Sequence, residues 1–186
     1  MATVLVPLAE GFEEIEAVSL IDIMRRGGIE VMVRSLGEEL EVTGANGIVV
    51  KAEDTIYDIT VDQIDMVVLP GGWGGTNLLA EDENVQSLLK AMDAKGKDIG
   101  AMCAAPFALN AAGVLKHNYT CYPSVEEQIR LEGYQGDKKQ VVQDGNVMTS
   151  RGPGTAICFA LQIIKRLVGE ETYTQVREGV LATYCE

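Results

Sequence analysis

The sequence predicts an α/β domain built on one mostly parallel sheet with helices on both faces. Three observations carry that prediction. Short apolar runs alternate with longer segments of helical period along the chain. The runs TVLVPLA, DMVVLPGG and DIGAM are continuously apolar, as strands buried on both faces are. Glycines or small residues follow these runs and mark sharp exits from the strands.

In order, TVLVPLA (3–9) is a buried strand ending before Gly11, and EEIEAVSLIDIMRRGG a helix. Acidic residues crowd that helix's first turn, Arg25 and Arg26 its last, and Gly27 can cap it, all of which suits the helix dipole. IEVMVRSL (29–36) is the next strand, and ELEVTGANGIVVKAE two short strands around a Gly-Ala-Asn-Gly turn. DMVVLPGG (65–72) is a strand entering a glycine loop, with a helix expected near 82–95. DIGAM is a strand and CAAPFALNAAG its helix; YTCYP (119–123) is extended, and SVEEQIRLEG a short helix. KQVVQDGNVMTS reads as a hairpin about Asp-Gly. Beyond Pro153, GTAICFALQIIKRLVG and EETYTQVREGVL are the closing helices. No repeat or linker interrupts the pattern, so residues 1–186 read as one domain.

Composition narrows the function. Fifteen Lys and Arg stand against 28 Asp and Glu, a net charge of −13 with no basic cluster, so nucleic acid and anionic membrane are not expected partners. No run reaches the ~18 apolar residues of a membrane span, and the N-terminus lacks a basic n-region, so a cytoplasmic location is expected. Cys103, Cys121, Cys158 and Cys185 form no CxxC pair, so no metal site is expected. In a reducing compartment all four are expected as free thiols, Cys121 and Cys158 in the core and Cys185 exposed near the C-terminus. The single histidine, His117, sits in the polar segment LKHNY and reads as a surface residue. The glycines at 71, 72, 74 and 75 fit neither GxGxxG nor a GK[ST] phosphate loop, and no cofactor is expected.

Chemistry concentrates at Cys103. It stands between strand-forming and helix-forming residues, flanked by Ala101 and Ala105, as a nucleophile on a crowded strand-to-helix turn requires. A helix N-terminus would favour its thiolate, and the N–H groups of Gly72 and Ala104 could form an oxyanion hole. The alternative is a packed core cysteine. Glu16 shares an apolar stripe with Leu20, Ile23 and Met24 at i+4, i+7 and i+8. A carboxyl on a buried face holds its proton and can act as a donor or general acid; the alternative is a helix-start carboxylate favoured by the dipole. Glu13 and Glu14 read as solvated first-turn carboxylates.

The segments AEGFEEIEAV, DIMRRGGI, VVLPGG, GAMCAAP and TSRGPGTA resemble the ThiJ/PfpI superfamily, in its Parkinson-disease-protein (DJ-one) branch. The resemblance spans nearly the whole chain. It implies a flavodoxin-like sandwich, a homodimer, and cofactor-independent glyoxalase or deglycase chemistry on small carbonyls such as methylglyoxal. It also implies, as the alternative, a redox sensor or chaperone acting through oxidation of Cys103. By the same resemblance Cys103 is the nucleophile, Glu16 its protonated partner, Gly72 and Ala104 the oxyanion donors, and Gly71, Asn46 and Tyr122 pocket residues. Tyr122 stands where some members carry histidine, and Asn46 where several carry arginine. Ala104 replaces the histidine that follows the cysteine in the protease-like branch, so peptidase activity is not expected. The first helix and the Gly-Ala-Asn-Gly hairpin are the expected dimer contact.

Overall fold

Residues 1–186 are described throughout by a computed structural model. Its strands are β1 (Thr3–Leu8), β2 (Glu30–Ser35), β3 (Glu41–Thr43), β4 (Val49–Lys51), β5 (Asp54–Thr55), β6 (Met66–Leu69), β7 (Asp98–Met102), β8 (Val141–Asp144) and β9 (Val147–Ser150). Its helices are α1 (Glu14–Arg26), α2 (Trp73–Glu81), α3 (Glu83–Ala94), α4 (Pro106–Ala111), α5 (Ala156–Leu167) and α6 (Glu170–Gly179). Seven strands form one sheet in the order β5-β2-β1-β6-β7-β9-β8, parallel except for the β8–β9 hairpin. β3 and β4 form a separate antiparallel ribbon.

Side-chain alternation divides the core in two. Val4, Val6, Leu8, Met66 and Val68 face α1, α5 and α6, where Leu20, Met24, Phe159, Leu161 and Ile164 are buried. Leu5, Val67, Leu69, Ile99 and Ala101 face the other way, against Leu79, Leu89, Met92 and Leu109 of α2, α3 and α4. Strands with two buried faces must be apolar at every position, which is why these runs read as continuous in the sequence.

The structure departs from expectation in four places. The glycine loop after β6 becomes helix α2 at Trp73, despite the poor helix propensity of Gly74 and Gly75. A Cβ at Gly75 would come within 3.1 Å of the Phe12 backbone, so small residues let α2 pack against the chain after β1. Asp82 then ends α2 and caps α3 by accepting from the Val85 N–H. Second, SVEEQIRLEG forms only a 3-10 turn at Val125–Gln128. Third, YTCYP contributes one isolated bridge, Tyr119 to Tyr134, instead of a strand.

The fourth departure concerns the cysteines. Cys158 and Cys185 form a disulfide with a Cα–Cα distance of 5.1 Å, while Cys103 and Cys121 are free. α6 folds back along α5, and Arg177 binds the carbonyls of Thr183 and Cys185. That arrangement carries the tail to the first turn of α5 and leaves Cys185 1% exposed. Cys185 is therefore neither free nor exposed.

Candidate active site

The parallel strands deliver three segments to one edge. β1 leads into Gly11–Glu16, β6 into Gly71–Gly72, and β7 into Cys103. From β1 the chain winds outward to β2 on one side and returns to β6 on the other, so the crevice at this edge is the switch point where open α/β sheets place their ligands.

Cys103 follows β7 directly and has φ 60°, a left-handed conformation that costs a side-chain-bearing residue about 1–3 kcal/mol. Two hydrogen bonds hold it there. Its N–H donates to the Ser150 carbonyl at 3.0 Å, and its own carbonyl accepts from the Tyr122 N–H at 2.9 Å. The residue is buried, with 8% of its surface exposed. The N–H groups of Gly72 and Ala104 both interact with its sulfur, one from the cap of α2 and one from the residue after the nucleophile position. Gly72 takes φ 87°, and a Cβ there would lie 2.4 Å from the Gly11 carbonyl oxygen, so glycine is required.

Glu16 lies in the first turn of α1 with no exposed surface. Its amide is capped by the Glu13 carboxylate at 2.8 Å. Its Oε2 accepts from the Gly71 N–H at 2.6 Å, and the carboxyl lies against the Cys103 thiol. Oε1 is buried with no hydrogen-bond partner. A buried carboxylate oxygen without a donor is costly, whereas a proton on Oε1 turns it into a donor beside the sulfur. Gly71 closes the back of the pair: a Cβ there would sit 2.5 Å from the Cys103 Cβ and 2.7 Å from Oε2.

The electrostatics of the pair follow from this packing. Burial, opposed by the adjacent Cys103 thiol and the Gly71 hydrogen bond, raises the Glu16 carboxyl to about 7. Burial first, and then the charge and hydrogen bonding of Glu16, push the Cys103 thiol far above its ordinary value, while the Gly72 and Ala104 amides pull it down. A thiol depressed by a helix N-terminus, expected from the sequence, is not what the structure contains: α4 begins only at Pro106 and has six residues. The upward push from Glu16 exists only while that carboxyl is ionised. The two groups therefore titrate as one unit, which loses its first proton near 7 and above that holds a single proton.

Of the residues singled out in the sequence, Cys103, Glu16, Gly71, Gly72 and Ala104 converge here. Tyr122 joins them through its backbone; its ring lies over Gly152 and is 49% exposed. Asn46 does not join. Its N–H and side-chain amide donate to Glu14 at 2.6 and 3.0 Å, and Glu14, expected to be solvated, is 4% exposed. His117 is exposed and remote from the crevice, with its carbonyl bound by Arg130. Cys121 is fully buried; burial and the nearby Glu126 push its thiol up to about 12. No three His, Cys, Asp or Glu side chains cluster to hold a metal ion. Sequence reasoning missed Ser150, whose backbone anchors Cys103, and Trp73, which directly follows Gly72 and meets the Phe107 ring edge-on at 5.7 Å.

A model of the DJ-1/PfpI family matches residues 2–166. The chain is 40% identical to Protein dj-1beta of Drosophila melanogaster over 181 residues, 97% of each protein. It is 36% identical to the glutathione-independent glyoxalase DJR-1.2 of Caenorhabditis elegans over 170 residues, 91% of this chain and 90% of that one. The crystal structure of Drosophila DJ-1beta superimposes with a TM-score of 0.92 at 41% identity, covering 97% of both chains. The family match over residues 2–166 and the relatives matched over nearly the full length place this chain in the DJ-1/PfpI family.

Proposed function

We propose that the protein is a cofactor-independent glyoxalase or deglycase-type enzyme that converts small reactive carbonyls such as methylglyoxal to hydroxy acids. The observation that carries this reading is the buried Glu16 carboxyl, with its unpartnered Oε1, packed against a thiol that receives two backbone N–H groups. The name of the nematode relative supports it.

The sulfur of Cys103 adds to the aldehyde carbon of methylglyoxal, and the proton held by the pair passes to the carbonyl oxygen, giving a hemithioacetal. Gly72 and Ala104 N–H groups receive the oxygen charge that develops in this step. Ionised Glu16 then removes the hydrogen of that carbon, the electron pair moves onto the neighbouring carbonyl oxygen, and the hydroxyl proton passes to that oxygen, leaving an enediolate. Glu16 returns the proton to the neighbouring carbon. The product is a thioester of Cys103 with a hydroxyl on the adjacent carbon. Water cleaves the sulfur–carbon bond, releasing lactate and restoring the thiol. The substrate supplies both the carbon oxidised and the carbon reduced, so no outside oxidant enters.

Lactate formation from methylglyoxal by pure, glutathione-free protein tests this, followed by NMR. Wild type should turn over, and Cys103→Ser should lose the activity. Equal rates would remove Cys103 from the chemistry.

The same cradle favours a second reading. Oxidation of Cys103 by peroxide to a sulfinate would place new oxygens against the Gly72 and Ala104 N–H groups and a protonated Glu16, as in a redox sensor of the oxidative-stress response. A protein that takes up two oxygens at Cys103 under mild peroxide but turns over no carbonyl would decide for it.

A homodimer is part of the proposal. Ile15 and Val18 of α1 and Ile48 and Val49 of the hairpin are each about half exposed. They are held side by side, because the Asn46 and Ile48 N–H groups bind Glu14. A two-fold pair burying this patch would be isologous. No helix is long and apolar enough to cross a membrane. A cytoplasmic location is likewise proposed; cell fractionation that recovers the protein outside the cytosol would contradict it.

A further inference from the structure

α2 begins directly after Gly72 and α4 three residues after Cys103, and each carries an aromatic ring in its first turn. Trp73 is the first residue of α2, next to Gly72, and Phe107 lies one turn beyond Cys103 on α4. The rings meet edge-to-face across the gap between the two helices. Trp73 nevertheless remains 39% exposed, while Cys103 and Ala104 are 8% and 2% exposed, and Phe107 packs against the cluster that holds Ala104. Tyr122, joined to Cys103 through its backbone, presents a half-exposed ring on the side toward Gly152.

The charges at the site are equally one-sided. The charges that act on the pair are carboxylates, Glu13 on Glu16 and Glu16 on Cys103, while the Arg151 guanidinium is turned toward Cys121 and Tyr134. An anionic aldehyde would meet two carboxyl groups beside the thiol, on a chain of net charge −13. A neutral flat ring would cover apolar surface that now faces water and meet Trp73 and Phe107 in stacked or edge contact.

We propose that Trp73 and Phe107 form an aromatic wall that makes the Cys103 site select neutral α-oxo-aldehydes carrying an aromatic substituent over their methyl and carboxylate counterparts. This inference rests on the reaction proposed above and names the substrate class of the same site. The added ring contributes aromatic contact and apolar burial, so kcat/KM for phenylglyoxal should exceed that for methylglyoxal by about tenfold or more. Glyoxylate should be the poorest of the three.

The test has two arms. In the first, glutathione-free turnover of the three aldehydes is compared in wild type, Trp73→Ala and Trp73→Phe. The phenylglyoxal to methylglyoxal ratio should fall at least fivefold in Trp73→Ala and largely recover in Trp73→Phe. A ratio near one in wild type, or one that Trp73→Ala leaves alone, overturns the wall. The second arm needs no turnover. Trp73 is the only tryptophan, so fluorescence of the Cys103→Ser protein reports on this place alone. Acetophenone should quench it saturably and acetone should not, and Phe107→Ala should weaken the saturable phase. Linear quenching by acetophenone overturns the wall. Saturable quenching without turnover of any aldehyde supports the wall and removes the proposed reaction.

Discussion

Replacing Glu16 by Gln keeps the shape of the buried carboxyl and both of its roles as a partner. The amide oxygen can still accept from Gly71, and the amide nitrogen can donate to Cys103. Only titration is lost, and its consequence can be worked out from the structure. The native carboxyl is raised from 4.5 to about 7, mainly by burial. Below pH 4.5 both native and unfolded chains carry the proton, so the group contributes no penalty. Between pH 4.5 and 7 the unfolded chain ionises it while the native state holds the proton, so native stability falls as pH rises. Above 7 both states are ionised and the loss is complete. Each pKa unit corresponds to ~1.4 kcal/mol, so the interval amounts to about 3 kcal/mol. Urea unfolding of wild type and Glu16→Gln at matched protein concentration, from pH 4.5 to 7.5, isolates this group, because the other titrations cancel in the difference. Wild-type stability relative to the variant should decline by about 3 kcal/mol across that range. Curves that stay parallel would show that Glu16 ionises as an ordinary carboxylate and would refute the shared-proton account.

Iodoacetamide at pH 7–8 should modify Cys103 before Cys121 in the native protein, since the first keeps 8% of its surface exposed and the second none; peptide mapping by mass spectrometry reads both. Unfolded, unreduced protein should show two titratable thiols and reduced protein four, because Cys158 and Cys185 are paired. Breaking a bridge between residues 27 apart should cost about 3–4 kcal/mol by loop-closure entropy, read as a lower urea midpoint for Cys158→Ser. Sedimentation at micromolar concentration should show a dimer that tightens with salt, as the repulsion between two chains of charge −13 is screened. Ile15→Glu should return it to monomer, and a wild-type monomer at every ionic strength would remove the dimer.

The strands were legible because burial on both faces leaves only apolar residues in them, as in Val4–Leu8 and Met66–Leu69. The chemistry was legible where one residue had to satisfy a local rule. Cys103 needed alanine neighbours, and Glu16 lay on an apolar stripe without being apolar. What stayed hidden depends on contacts between segments distant in sequence. The glycines of α2 look like a loop until Phe12 packs against them. Asn46 looks available for substrate until Glu14 takes its amide. The Cys158–Cys185 pair arises from the way α6 and the tail fold back on α5, which no local spacing encodes. The thiol's titration was hidden for the same reason: a helix dipole can be read from sequence, but the carboxyl that shares the proton comes from another element.

The pH dependence of kcat/KM for methylglyoxal, without glutathione, in wild type, Cys103→Ser and Glu16→Gln, tests most directly whether Cys103 and Glu16 act as one proton-sharing pair. This ratio reports the ionisations of the free enzyme. The account predicts a wild-type rate that rises with pH through about 7, where the pair loses its first proton. It predicts no activity in Cys103→Ser, and in Glu16→Gln a rate lower by about 10²-fold or more with the step near 7 gone. A Glu16→Gln profile that keeps the wild-type rate and the same step, or turnover that survives in Cys103→Ser, would contradict it.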